Sequence, residues 1–153
     1  MGFRDMRWVG PAILLMLFLL SAQPAMAAMK IASATMLIPE SDKPILLAGL
    51  EYGDKKWNVA LVSVRLERDP NEGADPVRPV WTFLATSTRP MIQKIIIEID
   101  LLDGSGKEIK SMKKFVIVKS SVDRQEIPIK MKVKRADWER AEKVRIKTTF
   151  TVL

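Results

Sequence analysis

The richest concentration of reactive side chains is the stretch LLDGSGKEI, Leu101–Ile109, where an acid, a hydroxyl, a lysine and two glycines adjoin. Three structures use such a set: a phosphate cradle, a calcium loop and a tight turn. A phosphate cradle needs GxxxxGK[ST] between a strand and a helix. Here Gly106-Lys107 is followed by Glu108, and Leu101 stands where the first glycine belongs. A calcium loop needs oxygen ligands at its first, third and fifth positions and a glutamate at the twelfth. Placing Asp103 third and Gly106 sixth leaves Leu101 first and Met112 twelfth. A three-residue hairpin loop wants glycine at its left-handed position, and Gly104-Ser105-Gly106 supplies it. The expected register sets Leu101 opposite Ile109 and Asp100 opposite Lys110.

Ser111–Lys114, SMKK, matches the Ser-x-x-Lys of penicillin-recognising enzymes, but those place the serine at a helix start and add further elements. In this chain the serine falls on the return strand of a hairpin. Paired carboxylates can hydrolyse a glycosidic bond without other help, and Asp69, Glu72 and Asp75 share the segment RDPNEGADPVRP, Arg68–Pro79. Trp57, Trp81 and Trp138 bury much apolar area in a core, a commoner use of the residue than a sugar platform.

Other chemistries are removed by composition. The chain has no histidine and no cysteine, so Ser-His-Asp and Cys-His catalysis, thiolate metal sites and a disulfide framework are all excluded. No cofactor or metal set is read from the rest. A lipid anchor would need a cysteine behind its cleavage site. The start of the chain nevertheless reads as an export signal: Arg4 and Arg7, the apolar run Ala12–Leu20, then small residues at Ala25 and Ala27. Cleavage is expected after Ala27. The run is interrupted at Gly10, Pro11 and Gln23 and falls short of the about 20 apolar residues of a membrane span. An exported chain without disulfides points to a bacterial periplasm or exterior.

Behind residues 1–27 the hydrophobic period is two, the signature of half-buried strands. Ile95, Ile97, Ile99 and Leu101 alternate with more polar positions that include Glu98 and Asp100. Ile127, Ile129, Met131 and Val133 alternate with Lys130, Lys132 and Lys134, and Val144, Ile146, Thr148, Phe150 and Val152 with Lys143, Arg145 and Lys147. Less regular strands are expected at 57–67, 79–87 and 114–119, and weaker ones at 31–38 and 45–52. A helical turn is expected over 135–141, with Asp137 capping it and Trp138 turned to the core. The segment 68–79 holds three prolines and cannot be a central strand; as the longest loop it is the first place to look for a partner site. Seven or eight short strands in residues 28–153 predict an all-β antiparallel sandwich of the immunoglobulin-like kind, with a small barrel as the alternative.

Charge is distributed unevenly. Residues 28–106 carry a net charge of −2 and residues 107–153 a net charge of +8. Lys130, Lys132, Lys134, Lys143, Arg145 and Lys147 recur at period two. If their strands share a sheet, Lys130, Lys132, Arg145 and Lys147 emerge on one solvent face. Such a face either guards strand edges or binds a polyanion, an acidic protein or a membrane surface. Nucleic acid is not expected, because the basic strands lack interleaved aromatics. The resulting expectation is an exported, non-enzymatic binding or assembly module of the bacterial cell envelope; the competing reading is a carboxylate-dependent hydrolase of an envelope polymer.

Overall fold

A computed structural model describes residues 28–152. The expected signal and its cleavage site after Ala27 lie outside the described residues. The strands are β1 (Ala28–Leu37), β2 (Ile45–Leu46), β3 (Glu51–Gly53), β4 (Asn58–Glu67), β5 (Val80–Ser87), β6 (Gln93–Leu102), β7 (Glu108–Val118), β8 (Val122–Lys130) and β9 (Lys143–Val152). A helix, α1 (Arg135–Arg140), precedes β9. They form two antiparallel sheets, one ordered β1-β9-β6-β7, the other β2-β4-β5-β8 with β3 also beside β4.

The period-two rows become the core. Ile95, Ile97, Ile99 and Leu101 of β6 and Val144, Ile146, Thr148 and Phe150 of β9 are buried, as are Ile127 and Ile129 of β8 and Met131 and Val133 beyond it. Trp81 and Phe83 fill the facing sheet. Each large side chain so buried contributes about 1.5–3 kcal/mol relative to exposure. The irregularity of β4 has a local cause. Its pairing with β5 shifts between Leu61 and Ser63, so Val59 and Leu61 face inward at odd positions and Val64 and Leu66 at even ones. A β-bulge inserts one residue and reverses the parity behind it.

The LLDGSGKEI stretch is the three-residue hairpin loop. The Gly106 N–H donates to the Asp103 carbonyl at 3.0 Å and the Asp103 N–H to the Lys107 carbonyl at 2.9 Å. Gly106 has φ of 86°, in the left-handed region. One Asp103 oxygen accepts the Ser105 and Lys107 N–H groups, at 2.9 and 3.0 Å. The register differs from expectation: Leu102 pairs with Glu108, Leu101 with Lys110 and Asp100 with Ser111. Ile109 is the extra residue of a bulge, which moves every later partner by one. Asp137 also differs. It sits in the first turn of α1, Lys134 occupies the cap position without a side-chain bond, and Trp138 packs half-buried against the core as expected.

Two of the sheet edges, β7 and β8, carry features that oppose further pairing. Pro128 lies within the edge strand β8, where its missing N–H breaks no ladder. On β7, Lys114 pairs with the buried Ile97 and so stands on the inward side of its strand, lining the open seam with Met112, Ile129 and Lys130. An inward-pointing charge on an edge opposes the addition of another strand.

Candidate functional site

The six basic positions are not brought together. Lys130 closes β8, with Lys132 and Lys134 in the segment after it, all three exposed at the edge of the second sheet. Lys143, Arg145 and Lys147 lie on β9, inside the first sheet. The common face expected for Lys130, Lys132, Arg145 and Lys147 is therefore corrected: a period of two assigns residues to faces but does not say which strands pair. Moreover β9 lies beside β6 with Glu98 opposite Lys147 and Asp100 opposite Arg145. Arg145 donates from Nε and Nη2 to one Asp100 oxygen at 2.9 and 2.8 Å. Lys147 reaches Glu98 at 3.0 Å and Asp100 at 3.1 Å. The Ser111 hydroxyl donates to the other Asp100 oxygen at 2.6 Å, and Lys113 lies 3.4 Å from Glu98.

Asp100 is fully buried. Burial pushes its carboxyl up, but the bonds from Ser111, Arg145 and Lys147 outweigh that and hold it below the usual carboxylate range. Lys147 is held above its ordinary value by Glu98 and then Asp100. The cluster is an ion-pair lattice across β7, β6 and β9. Ser111 belongs to it as a donor to Asp100, on a strand and not at a helix start.

Two of the three loop carboxylates accept backbone N–H groups, while Glu72 is exposed. Asp69 accepts the N–H groups of Asn71 and Arg78 at 3.0 and 2.9 Å, which lower its pKa. Asp75 accepts the Arg135 N–H at 3.1 Å, and the Arg135 Nε donates to the Ala74 carbonyl at 2.8 Å. Val77 bridges to Val133. Loop 68–79 is thereby clasped to the start of α1.

The tryptophans divide. Trp81 is wholly buried and Trp138 half-buried under Arg68, whereas Trp57 is exposed. Trp57 belongs to a set that sequence order conceals. The antiparallel pairings bring the start of β1, the end of β9, the start of β6 and the end of β7 to one pole. The loops β3–β4, β5–β6 and β7–β8 arrive at the same pole, because Val59 pairs with Ser87 and Ser87 with Val122. Trp57, Met91 and Ile92 are exposed on these loops. Beside them, on the outer face of the first sheet, the register lines up Ile31, Thr149, Ile96 and Phe115 across four strands. Ile31 is 67% and Phe115 79% exposed, with Met29 and Ile117 open one step nearer the pole.

The loops that display these residues are held. Asp54 Oδ1 accepts the Lys56 and Trp57 N–H groups at 2.7 and 2.8 Å, which lower its pKa. Gly53 has φ of 130° and lies so close to the Trp57 carbonyl that a Cβ would collide with it. Arg89 hydrogen-bonds Gln93 and lies 5.1 Å over the Tyr52 ring. Trp57, Arg89, Pro90 and Met91 line a cavity of about 280 Å³. Cations surround it: Lys56 sits 5.1 Å over the Trp57 ring, and Lys94 and Lys119 are exposed nearby. The sequence signal for this pole was present only as unexplained apolar residues at outward strand positions, Phe115 and Ile117 above all.

Among the described residues no group of three or more His, Cys, Asp or Glu is placed to hold a metal, and no helix is long and apolar enough to cross a membrane. No family model matches the chain, and no curated protein matches it. Among solved structures it is similar to the solution structure of the uncharacterized lipoprotein yajI from Escherichia coli, at 15% identity and a TM-score of 0.37, over 100% of this chain and 86% of that one. A second likeness is to the enzymatically active domain of tailspike protein 4 of bacteriophage CBA120, at 9% identity and a TM-score of 0.28, over 82% of this chain and 17% of that one. Neither protein's properties are carried to this one.

Proposed function

We propose that this protein is an exported, non-enzymatic binding or assembly module of a bacterial cell envelope, built on an immunoglobulin-like sandwich. The architecture is supported by the double crossing in which β5 lies beside β8 and β6 beside β9, the connection pattern of Greek-key sandwiches. Export is supported by the arginines, apolar run and small residues of positions 4–27. A binding role is carried by one observation above the rest: among the described residues, seven of the nine large exposed apolar side chains, all but Leu37 and Leu46, gather at or beside a single pole, three of them on loops there. Soluble domains rarely expose a contiguous apolar patch of this kind unless something covers it. The non-enzymatic reading is favoured over the carboxylate hydrolase because Asp69 and Asp75 spend oxygens on backbone N–H groups. Lys130, Lys132 and Lys134 stay available as a smaller basic strip for an anionic component or an acidic protein. Expression in a bacterium, osmotic-shock fractionation and mass spectrometry of the N-terminus test the reading. A chain starting at Ala28 in the envelope fractions is expected; a chain starting at Met1 in the cytoplasm overturns it.

A further inference from the structure

We infer that the pole bearing Trp57, Met91 and Phe115 docks on the surface of an anionic phospholipid bilayer. The inference takes its setting from the exported-envelope reading and adds the partner. Three observations favour a bilayer over another occupant. The pole mixes wide apolar side chains with more cations than acids: Lys55, Lys56, Lys94, Lys119 and Arg124 are exposed around it, against Asp123 and Asp54, the latter turned onto the Lys56 and Trp57 backbone. That mixture suits an interface where apolar groups enter the acyl boundary and cations meet lipid phosphates. Trp57 is exposed with Lys56 over its ring, and tryptophan is a residue that membrane interfaces favour at headgroup depth.

The second observation is where the preceding chain joins. The apolar run Ala12–Leu20 ends eight residues before Ala28, the first residue of β1, and Ala28 opens the strand at this same pole. Eight residues span at most about 28 Å. During export, before the expected cleavage after Ala27, a membrane that holds the apolar run thus keeps this pole, and not the opposite one with the 103–107 hairpin, within reach. The third is shape. Ile31, Ile96 and Phe115 lie in one row across the outer face of the first sheet, at the end where the loop carrying Met91 and Ile92 arrives. A broad face of this sort meets a plane more fully than it meets a narrow ligand.

Residues 28–153, the chain expected after cleavage, are the form tested, with folding verified by circular dichroism. Vesicles of roughly one-third phosphatidylglycerol in phosphatidylcholine are floated with the protein at low salt. Binding is expected, with release in about 0.5 M salt. Lys94→Gln and Lys119→Gln should each weaken it about fivefold, and Met91→Ser combined with Phe115→Ser by more than tenfold, both sites being exposed enough to leave the fold intact. No flotation of the parent protein, or equal flotation of the Met91→Ser, Phe115→Ser variant, overturns the inference. Concentration-dependent dimerisation abolished by that variant, without vesicle binding, overturns it in favour of a second copy of the chain. Because the assay needs no export step, its failure leaves the export reading to be judged on the N-terminus alone.

Discussion

Replacing Asp100 by Asn tests whether the ion-pair lattice is structural. The side chain keeps its size but loses the charge that faces Arg145 at 2.8 Å and Lys147 at 3.1 Å. Breaking a buried pair costs about 3–5 kcal/mol when the surviving charge is stranded. Here Arg145 and Lys147 are 33% and 29% exposed and retain Glu108 and Glu98, which reduces the expected loss to about 2–3 kcal/mol. In urea the midpoint should fall on the order of 1 M. The pH dependence follows from the lowered carboxyl of Asp100. A carboxylate whose folded pKa is depressed adds stability that is complete above its unfolded value, about 3.9, and is lost as pH falls through the folded value. The gap between parent and Asp100→Asn should thus be widest near neutrality and close in strong acid. Equal midpoints at pH 7, or a gap that does not change down to pH 2, would refute the assignment.

The correction to the basic face makes its own prediction. Lys130→Gln with Lys132→Gln should leave stability within about 0.5 kcal/mol, whereas Arg145→Gln with Lys147→Gln should lower it by about 2 kcal/mol or more by stranding Asp100; thermal melts compare the two. Gly106→Val meets open space but a φ of 86°, so calorimetry should show a loss of about 1–3 kcal/mol from backbone strain alone. Thr148 is fully buried and its hydroxyl finds no partner among the described residues. Thr148→Val should therefore raise stability, by about 1 kcal/mol, in the same melts.

Strand faces were legible where each residue contributes to a single alternation, as in β6, β8 and β9. They blurred in β4 because the bulge between Leu61 and Ser63 reverses the inward parity, and the hairpin register slipped at Ile109 for the same reason. Partner choice was not legible, since alternation is identical for a strand in either sheet. One clue did exist. Glu98 and Asp100 stand two apart on the outer face of β6, with the spacing of Arg145 and Lys147 on β9, and opposite charges directly across a ladder stabilise the pairing. The pole could not be assembled from sequence because Met29, Trp57, Met91 and Phe115 come from four separate stretches, joined only by the antiparallel pairings.

The absence of cysteine from the chain gives the central claim a direct measurement, because a single introduced cysteine is the sole target for a maleimide. Phe115→Cys reports the apolar pole and Lys132→Cys the basic strip on the other sheet. Labelling rates are compared between purified protein and intact envelopes. The account predicts that Phe115→Cys is strongly protected in envelopes while Lys132→Cys reacts at its free rate; equal labelling of both, at the rates of the purified protein, would contradict it.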